Sequence, residues 1–426
     1  MLHLPTLLLQ VAVILAVSRM VGWIFRKIHQ RQVIGEMVAG ILLGPSLLGW
    51  LAPNLSAVIF PPASLGFLSA LSQIGLIVFM FLIGLELDPQ TLHRRSHAAV
   101  VTSHVSIMFP FLLGSLLSLY LYPRLSDDSV SFTNFTLFMG TAMSITAFPV
   151  LARILTERNM LRTPLGVLTI ACAAVDDVTA WCILAGVVLL VRTAEGSVPF
   201  WLTLLGSLGY IAIMILGVRR LLRKFELLYR KRGAITQDML AVMLLLVLAS
   251  GWTTEWLGIH ALFGAFIVGA IMPKESDFVH ALLEKLNDFA VVLLLPLFFA
   301  FTGLRASVGL LNGGEMWFYF ALILIAAIVG KFGGSTIAAR ITGTPWREAS
   351  ALGILMNTRG LVELVALNIG YDIGVISPTL FTMLVLMALI TTFMTSPLLE
   401  WAYFRPLRSQ ARRSAETPES ISIPPA

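Results

Sequence analysis

The chain has 426 residues, 58% of them hydrophobic and only 12% charged, with a formal net charge of +6. Soluble domains carry about 25% charged residues, so the composition excludes an ordinary soluble fold. In a soluble protein the positive excess would point to nucleic acid; here membrane topology explains it better, and no nucleic-acid partner is expected. A helical crossing needs roughly 20 apolar residues, and continuous apolar runs of that length exclude the alternating pattern of a β-barrel. Backbone groups in lipid must bond internally. The expected fold is therefore an all-α polytopic membrane protein.

Taken in chain order, the apolar runs predict thirteen spans, at about 6–24, 33–50, 65–86, 98–122, 133–156, 164–191, 199–222, 238–256, 259–273, 287–308, 317–340, 347–370 and 379–402. The N-terminus, MLHLPTLLLQ, lacks the basic stretch of a cleavable signal and reads as entering the first span. Of the 29 Lys and Arg residues, 23 fall in the loops after odd-numbered spans or in the tail, among them the seven between Arg219 and Arg232. The opposite side receives only Arg124, Arg192 and Arg305. That asymmetry places the N-terminus outside and the C-terminus in the cytoplasm. Residues 404–426 are short, polar and proline-containing, and read as a disordered cytoplasmic tail. Asp88, at the exit of span 3, reads as a cap or turn residue.

Two segments recur. GEMVAGILLGP at 35–45 matches GAFIVGAIMP at 264–273, in spans 2 and 9; FMFLIGL at 79–85 matches FFAFTGL at 298–304, in spans 3 and 10. An offset of seven spans is odd and reverses direction in the membrane. Spans 1–6 and 8–13 are thus expected to form an inverted repeat, with span 7 as the linker. Inverted repeats put binding sites near the midplane of secondary transporters; a chance recurrence of packing glycines is the alternative.

Ionisable groups inside spans cost at least ~2.5 kcal/mol each and are functional hypotheses by default. Asp176 and Asp177 lie mid-span in ACAAVDDVTAWCILAG of span 6. Neighbours in a helix diverge by about 100°, so the two carboxylates must meet different surroundings. Burial and mutual repulsion favour protonation of such a pair, so a cation and a proton would compete for one carboxylate. Lys331 stands mid-span in AAIVGKFGGSTIAA of span 11, and an Asp is its natural counter-ion, whether for transport or as a structural bridge. Spans 5 and 12, equivalent in the repeat, both carry interruptions. Span 5 reads GTAMSITAFPVLARIL, in which Pro149 cannot donate to the helix and Ser144 and Thr146 could cover freed backbone groups or bind a cation. Span 12 reads GILMNTRGLVELVALNIG, with Asn357, Thr358, Arg359 and Gly360 mid-span and Glu363 spaced to pair with Arg359. Paired interrupted helices point to a transport site, and a plain proline kink is the bland alternative for span 5. No GxGxxG in a βαβ setting, P-loop, HExxH or CxxC pair is present; neither an enzyme nor a cofactor is expected.

Together VIGEMVAGILLGP, FLIGLELD, SITAFPVLARIL, AVDDVTAW, GIHALFGAFIVGAIMP and MNTRGLVELVALNIG resemble the second monovalent cation:proton antiporter family, especially its plant cation/H⁺ exchangers and bacterial relatives. The resemblance implies a sodium/proton-antiporter-like fold and a homodimer in the bacterial inner membrane. It implies dimerisation helices 1–3 and 8–10 (residues 1–97 and 238–310) and a moving core of helices 4–6 and 11–13 (residues 98–192 and 311–403), joined by a linker at 193–237. It implies exchange of Na⁺ or K⁺ for protons by alternating access, with a role in pH homeostasis. Asp177 would be the main cation and proton carboxylate, Asp176 the partner of Lys331, with Ser144 and Thr146 lining the site. Members with an Asp-Asp pair and the lysine tend to be electrogenic. A cation channel or leak pathway, and a sensor with a transporter fold, are the rival readings.

Overall fold

The computed structural model describes residues 4–28, 30, 32–86, 97–160, 163–195 and 200–405, and among these every regular element is a helix. Asp88 and the tail beyond residue 405 lie outside the described residues, so the expectations made for them stay as expectations.

Among the described residues, ten helices are long and apolar enough to cross a membrane. They are span 1 (Leu4–Lys27), span 2 (from Gln32–Leu43), span 3 (Pro62–Glu86), span 4 (His97–Leu125), span 6 (Pro164–Glu195), span 7 (from Phe200–Ile213), span 8 (Gln237–Trp256), span 10 (Ser276–Phe289 continuing to Leu295–Arg305), span 11 (Gly314–Ile328 continuing to Gly334–Ile341) and span 13 (Pro378–Leu399). The other three expected spans are not continuous. Span 12 consists of Trp346–Met356 and Leu361–Asp372, bent by 42° at the break. Span 5 splits into Phe132–Ser144 and Phe148–Glu157, and span 9 is only Ala261–Ile271. Eleven residues cover about 16 Å as a helix, well short of the ~30 Å hydrocarbon core. Hydropathy alone cannot separate such pieces from full crossings, because averaged over a window the apolar half-helices outweigh a break of three or four residues.

The repeat is real in three dimensions. Span 2 packs on span 10 and span 3 on span 9; exchanging 2 with 9 and 3 with 10 turns each contact into the other. Span 1 packs on 2 and 10, and its equivalent, span 8, packs on 9 and 3. The recurring glycines sit at these contacts. A Cβ on Gly40 would collide with the carbonyl of Phe299, and one on Gly303 with the backbone of Gly40. Likewise a Cβ on Gly84 would strike the carbonyl of Phe266, and one on Gly269 that of Phe81. Small residues let helix backbones touch in a membrane, where packing replaces the hydrophobic drive. At one end the Lys274 ammonium donates to the carbonyls of Gly84 (2.9 Å), Leu85 (2.8 Å) and Gly269 (3.0 Å), closing the C-termini of spans 3 and 9 together.

Spans 4 and 11, also equivalent, pack on each other. Gly330 and Gly334 allow it: a Cβ there would press on Pro110 (2.8 Å) and Phe109 (3.0 Å) of span 4. Span 11 widens to a π-helical turn over Val329–Gly333, with Lys331 inside it, a distortion common where a helix carries function. Span 7 exposes Trp201, Leu205, Leu208 and Leu216, the pattern of a helix facing lipid.

Candidate functional site

The two broken spans cross inside the protein. Residues 145–147 of span 5 and 357–360 of span 12 leave the helical path, and the Ala147 N–H donates to the Thr358 carbonyl at 3.0 Å. The break in span 5 precedes Pro149, which falls in the first turn of the second half-helix. A proline there removes a donor that has no helical acceptor anyway, so it starts the second half rather than kinking a continuous one.

Each break leaves backbone groups without helical partners, and polar side chains take them up. Arg359 donates to the carbonyls of Ala142 (2.7 Å) and Met143 (2.6 Å), at the C-terminal end of Phe132–Ser144. It also pairs with Glu363 at 2.9 Å, both side chains fully buried. A cation at a helix C-terminus is favourable, which explains why an arginine is tolerated mid-span. The single Thr146 hydroxyl proton is shared between the Met356 carbonyl at 3.2 Å, the end of Trp346–Met356, and Asp176 at 3.1 Å. Thr392 accepts the Arg359 N–H and donates back to its carbonyl, at 3.2 and 2.7 Å. Thr358 reaches Thr395 at 3.3 Å. Gly360 gives the crossing room, since a Cβ would lie 3.0 Å from Val150 and 3.5 Å from Ala147. Asn357 keeps a buried side-chain oxygen with no donor.

The aspartate pair lies on unbroken span 6, and both side chains are fully buried. Their surroundings differ as the 100° offset requires. Asp176 accepts from Ser103 at one oxygen (2.9 Å), and from Ser106 (2.6 Å), Thr146 (3.1 Å) and Lys331 (2.9 Å) at the other. Asp177 accepts from nothing: neither oxygen has a hydrogen-bond partner. The N–H of Phe148, first residue of the second half of span 5, faces the Asp177 carboxylate without reaching hydrogen-bond geometry. One carboxylate is saturated; the other is bare beside the positive end of a half-helix. A buried carboxylate without donors is costly unless it carries a proton or a cation, so Asp177 has the chemistry of a loading site.

The structure thus brings together Asp176, Lys331 and Thr146 by direct contact, with Asp177 adjoining them on span 6. Arg359 joins the same crossing by closing two backbone carbonyls, Glu363 by pairing with Arg359, and Thr358 through its carbonyl, which accepts the Ala147 N–H, and its hydroxyl on Thr395. Ser144 does not touch Asp176: its hydroxyl turns back to the Thr141 carbonyl at 2.8 Å. Sequence reasoning missed Ser103 and Ser106. Their signal was a pair of hydroxyls three residues apart in an apolar span, hence on one face.

Towards the end of the molecule that carries Arg192, a cavity of about 210 Å³ lies between spans 3, 9, 10 and 12, lined by Gln73, Glu255, His260, Asn368 and Asp372 among others. Two ion pairs border it, Arg192–Glu255 at 2.9 Å and Arg305–Asp372 at 2.7 Å. His260 opens Ala261–Ile271, its ring nitrogen accepting the Leu262 N–H at 3.4 Å.

Comparison with known proteins places this architecture. The chain is 47% identical to the Na(+)/H(+) antiporter NhaS4 of Synechocystis sp., covering 94% of this chain and 98% of that protein. It is 42% identical to Cation/H(+) antiporter 17 of Arabidopsis thaliana and 34% to K(+)/H(+) antiporter 1 of Saccharomyces cerevisiae, over 95% and 97% of this chain. It spans about half the length of those two relatives (49% and 48%). The fold matches the sodium proton antiporter MjNhaP1 of Methanocaldococcus jannaschii with a TM-score of 0.65 at 16% identity, covering 93% of this chain and 96% of that one. The family described as sodium/hydrogen exchanger, transmembrane, matches residues 13–401. With the match running through both repeats, both broken spans and the aspartate pair, this chain is a member of the sodium/hydrogen exchanger family.

Proposed function

We propose that the protein exchanges a monovalent cation, Na⁺ or K⁺, for protons by alternating access, with cation and proton competing for Asp177. The observation that carries this reading is the contrast within the pair: Asp176 holds four donors and Asp177 none. An Asp177 carboxylate loaded by either a proton or a cation is neutral in effect and can cross; an empty one is held back by its desolvation cost. Thr146 and the Phe148 end of the half-helix flank the cation path in this reading, and Lys331 balances Asp176. Names of the relatives favour both ions, sodium for NhaS4 and potassium for the yeast protein.

Helices 4–6 and 11–13 would move as a core past helices 1–3 and 8–10, which would also form the interface of a homodimer. The polar crossing lies wholly within the first set and the paired glycine contacts of spans 2 and 10 and of spans 3 and 9 wholly within the second, which favours that division. The arginine asymmetry supports an N-terminus outside and a C-terminus in the cytoplasm of a bacterial inner membrane.

The test is a proteoliposome assay that follows internal pH after addition of Na⁺, K⁺ or Li⁺. Wild type is expected to move protons with at least one cation, and Asp177→Asn to move none while eluting as a folded protein. Full exchange by Asp177→Asn, or currents independent of a proton gradient, would reject the reading. Competition adds a pH signature: acid loads Asp177 with protons that a cation must displace. The apparent KM for the cation should rise as pH falls, by about tenfold per pH unit in the competitive limit. A KM independent of pH would rule out a shared carboxylate.

A further inference from the structure

We propose that Ser103 and Ser106 of span 4 are positioning residues for the exchange: they tie the Asp176 carboxylate to span 4, so that it keeps its place when Lys331 moves off it. The inference rests on the reading of Asp177 as the exchanging carboxylate. Both serines are fully buried and stand one turn apart on one face of an unbroken helix. Ser103 is the sole donor to one Asp176 oxygen, at 2.9 Å. Ser106 donates to the other at 2.6 Å, the length of a charge-assisted hydroxyl bond. The same Ser106 hydroxyl lies 2.8 Å from the Ser103 carbonyl, so it has a second acceptor on its own helix.

The four donors differ in reach. Lys331 places its ammonium on a long flexible stem, whereas each serine has a single short torsion on a packed helix. Spans 4 and 11 are seated against each other through Gly330 and Gly334, so the lysine can shift its head group without moving the serines. Whenever it does, Ser103, Ser106 and Thr146 still hold Asp176. Without the serines, only Thr146 would remain, and a buried carboxylate short of donors would grip Lys331 instead. A lysine pinned in that position repels a cation arriving at Asp177. The serines therefore act on cation affinity, through Asp176 and Lys331.

Ser103→Ala and Ser106→Ala measured in the proteoliposome assay give the test. Loss of one charge-assisted hydrogen bond is expected to raise the apparent cation KM by roughly tenfold, with turnover at saturating cation within about twofold of wild type. Ser103→Thr, which keeps the hydroxyl, should restore the wild-type KM. In a Lys331→Met background the alanine substitutions should no longer raise KM, because the residue they pin is gone; such non-additivity marks direct coupling. Equal fold-changes in both backgrounds, or lower turnover at unchanged KM, would overturn the proposal. A wild-type protein that moved no protons would instead reject the exchange reading, before any serine variant is compared.

Discussion

The molecule contains two kinds of crossing generated by one inverted repeat, and they are built from opposite materials. Where spans 2 and 10 and spans 3 and 9 meet, backbone lies against backbone through Gly40, Gly303, Gly84 and Gly269. Those helices stay regular at the contact, and the carbonyls freed at the ends of spans 3 and 9, those of Gly84, Leu85 and Gly269, all go to Lys274. Where spans 5 and 12 meet, both helices stop, and Thr146, Arg359 and Thr392 take up the exposed carbonyls and N–H groups, with Glu363 pairing Arg359. Lipid offers no water to unpaired backbone, so interrupted helices survive only where the protein supplies the partners. The glycine crossing spends one lysine at its end and otherwise holds by backbone contact. The polar crossing spends charged residues and sets Thr146 and the start of a half-helix beside the aspartate pair.

Four substitutions would break or sharpen that contrast. Arg359→Ala has the largest expected effect, because it leaves Glu363 charged and buried and uncovers the Ala142 and Met143 carbonyls. Removing one partner of a buried pair costs about 3–5 kcal/mol, readable as a lower melting temperature in detergent. The combination with Glu363→Gln should recover part of the loss. At the glycine crossing, Gly303→Val and Gly84→Val insert volume where backbones touch. Each should cost about 1–3 kcal/mol or more, and the repeat predicts similar losses at the two positions. A large difference between them would weaken the claim that the two contacts are images of each other. Arg192→Ala, outside both crossings, removes a pair whose side chains are 30% and 44% exposed. Stability should change by no more than about 1 kcal/mol; a larger loss would mean that this end of the molecule contributes more than the contrast allows.

Much of this was legible beforehand. Asp176, Asp177, Lys331 and Arg359 declare themselves as charges in apolar spans, a property of composition alone. The glycine repeats at 35–45 and 264–273 revealed the inverted halves, since close helix contacts demand glycine whatever surrounds them. Less was readable about the breaks. Pro149 marked span 5 as interrupted, yet the helix stops before it at Ser144, because the proline favours a helix start. Ser144 looked equivalent to Thr146 on paper, but it satisfies a carbonyl of its own helix. Ser103 and Ser106 gave only their shared helix face as a signal, and it is a weak one, because a serine in a span usually bonds the preceding turn and need not face anything.

What the sequence by itself determined is the set of costs: which groups cannot face lipid unaided, and which stretches of the chain must lie within it. Tertiary structure decided how those costs are met. Two adjacent aspartates on one helix are chemically identical until span 4 brings Ser103 and Ser106, and span 11 brings Lys331, to only one of them. The 100° between neighbours made a division inevitable. Which side received the donors depended on long-range packing through Gly330 and Gly334, and that packing left Asp177 bare.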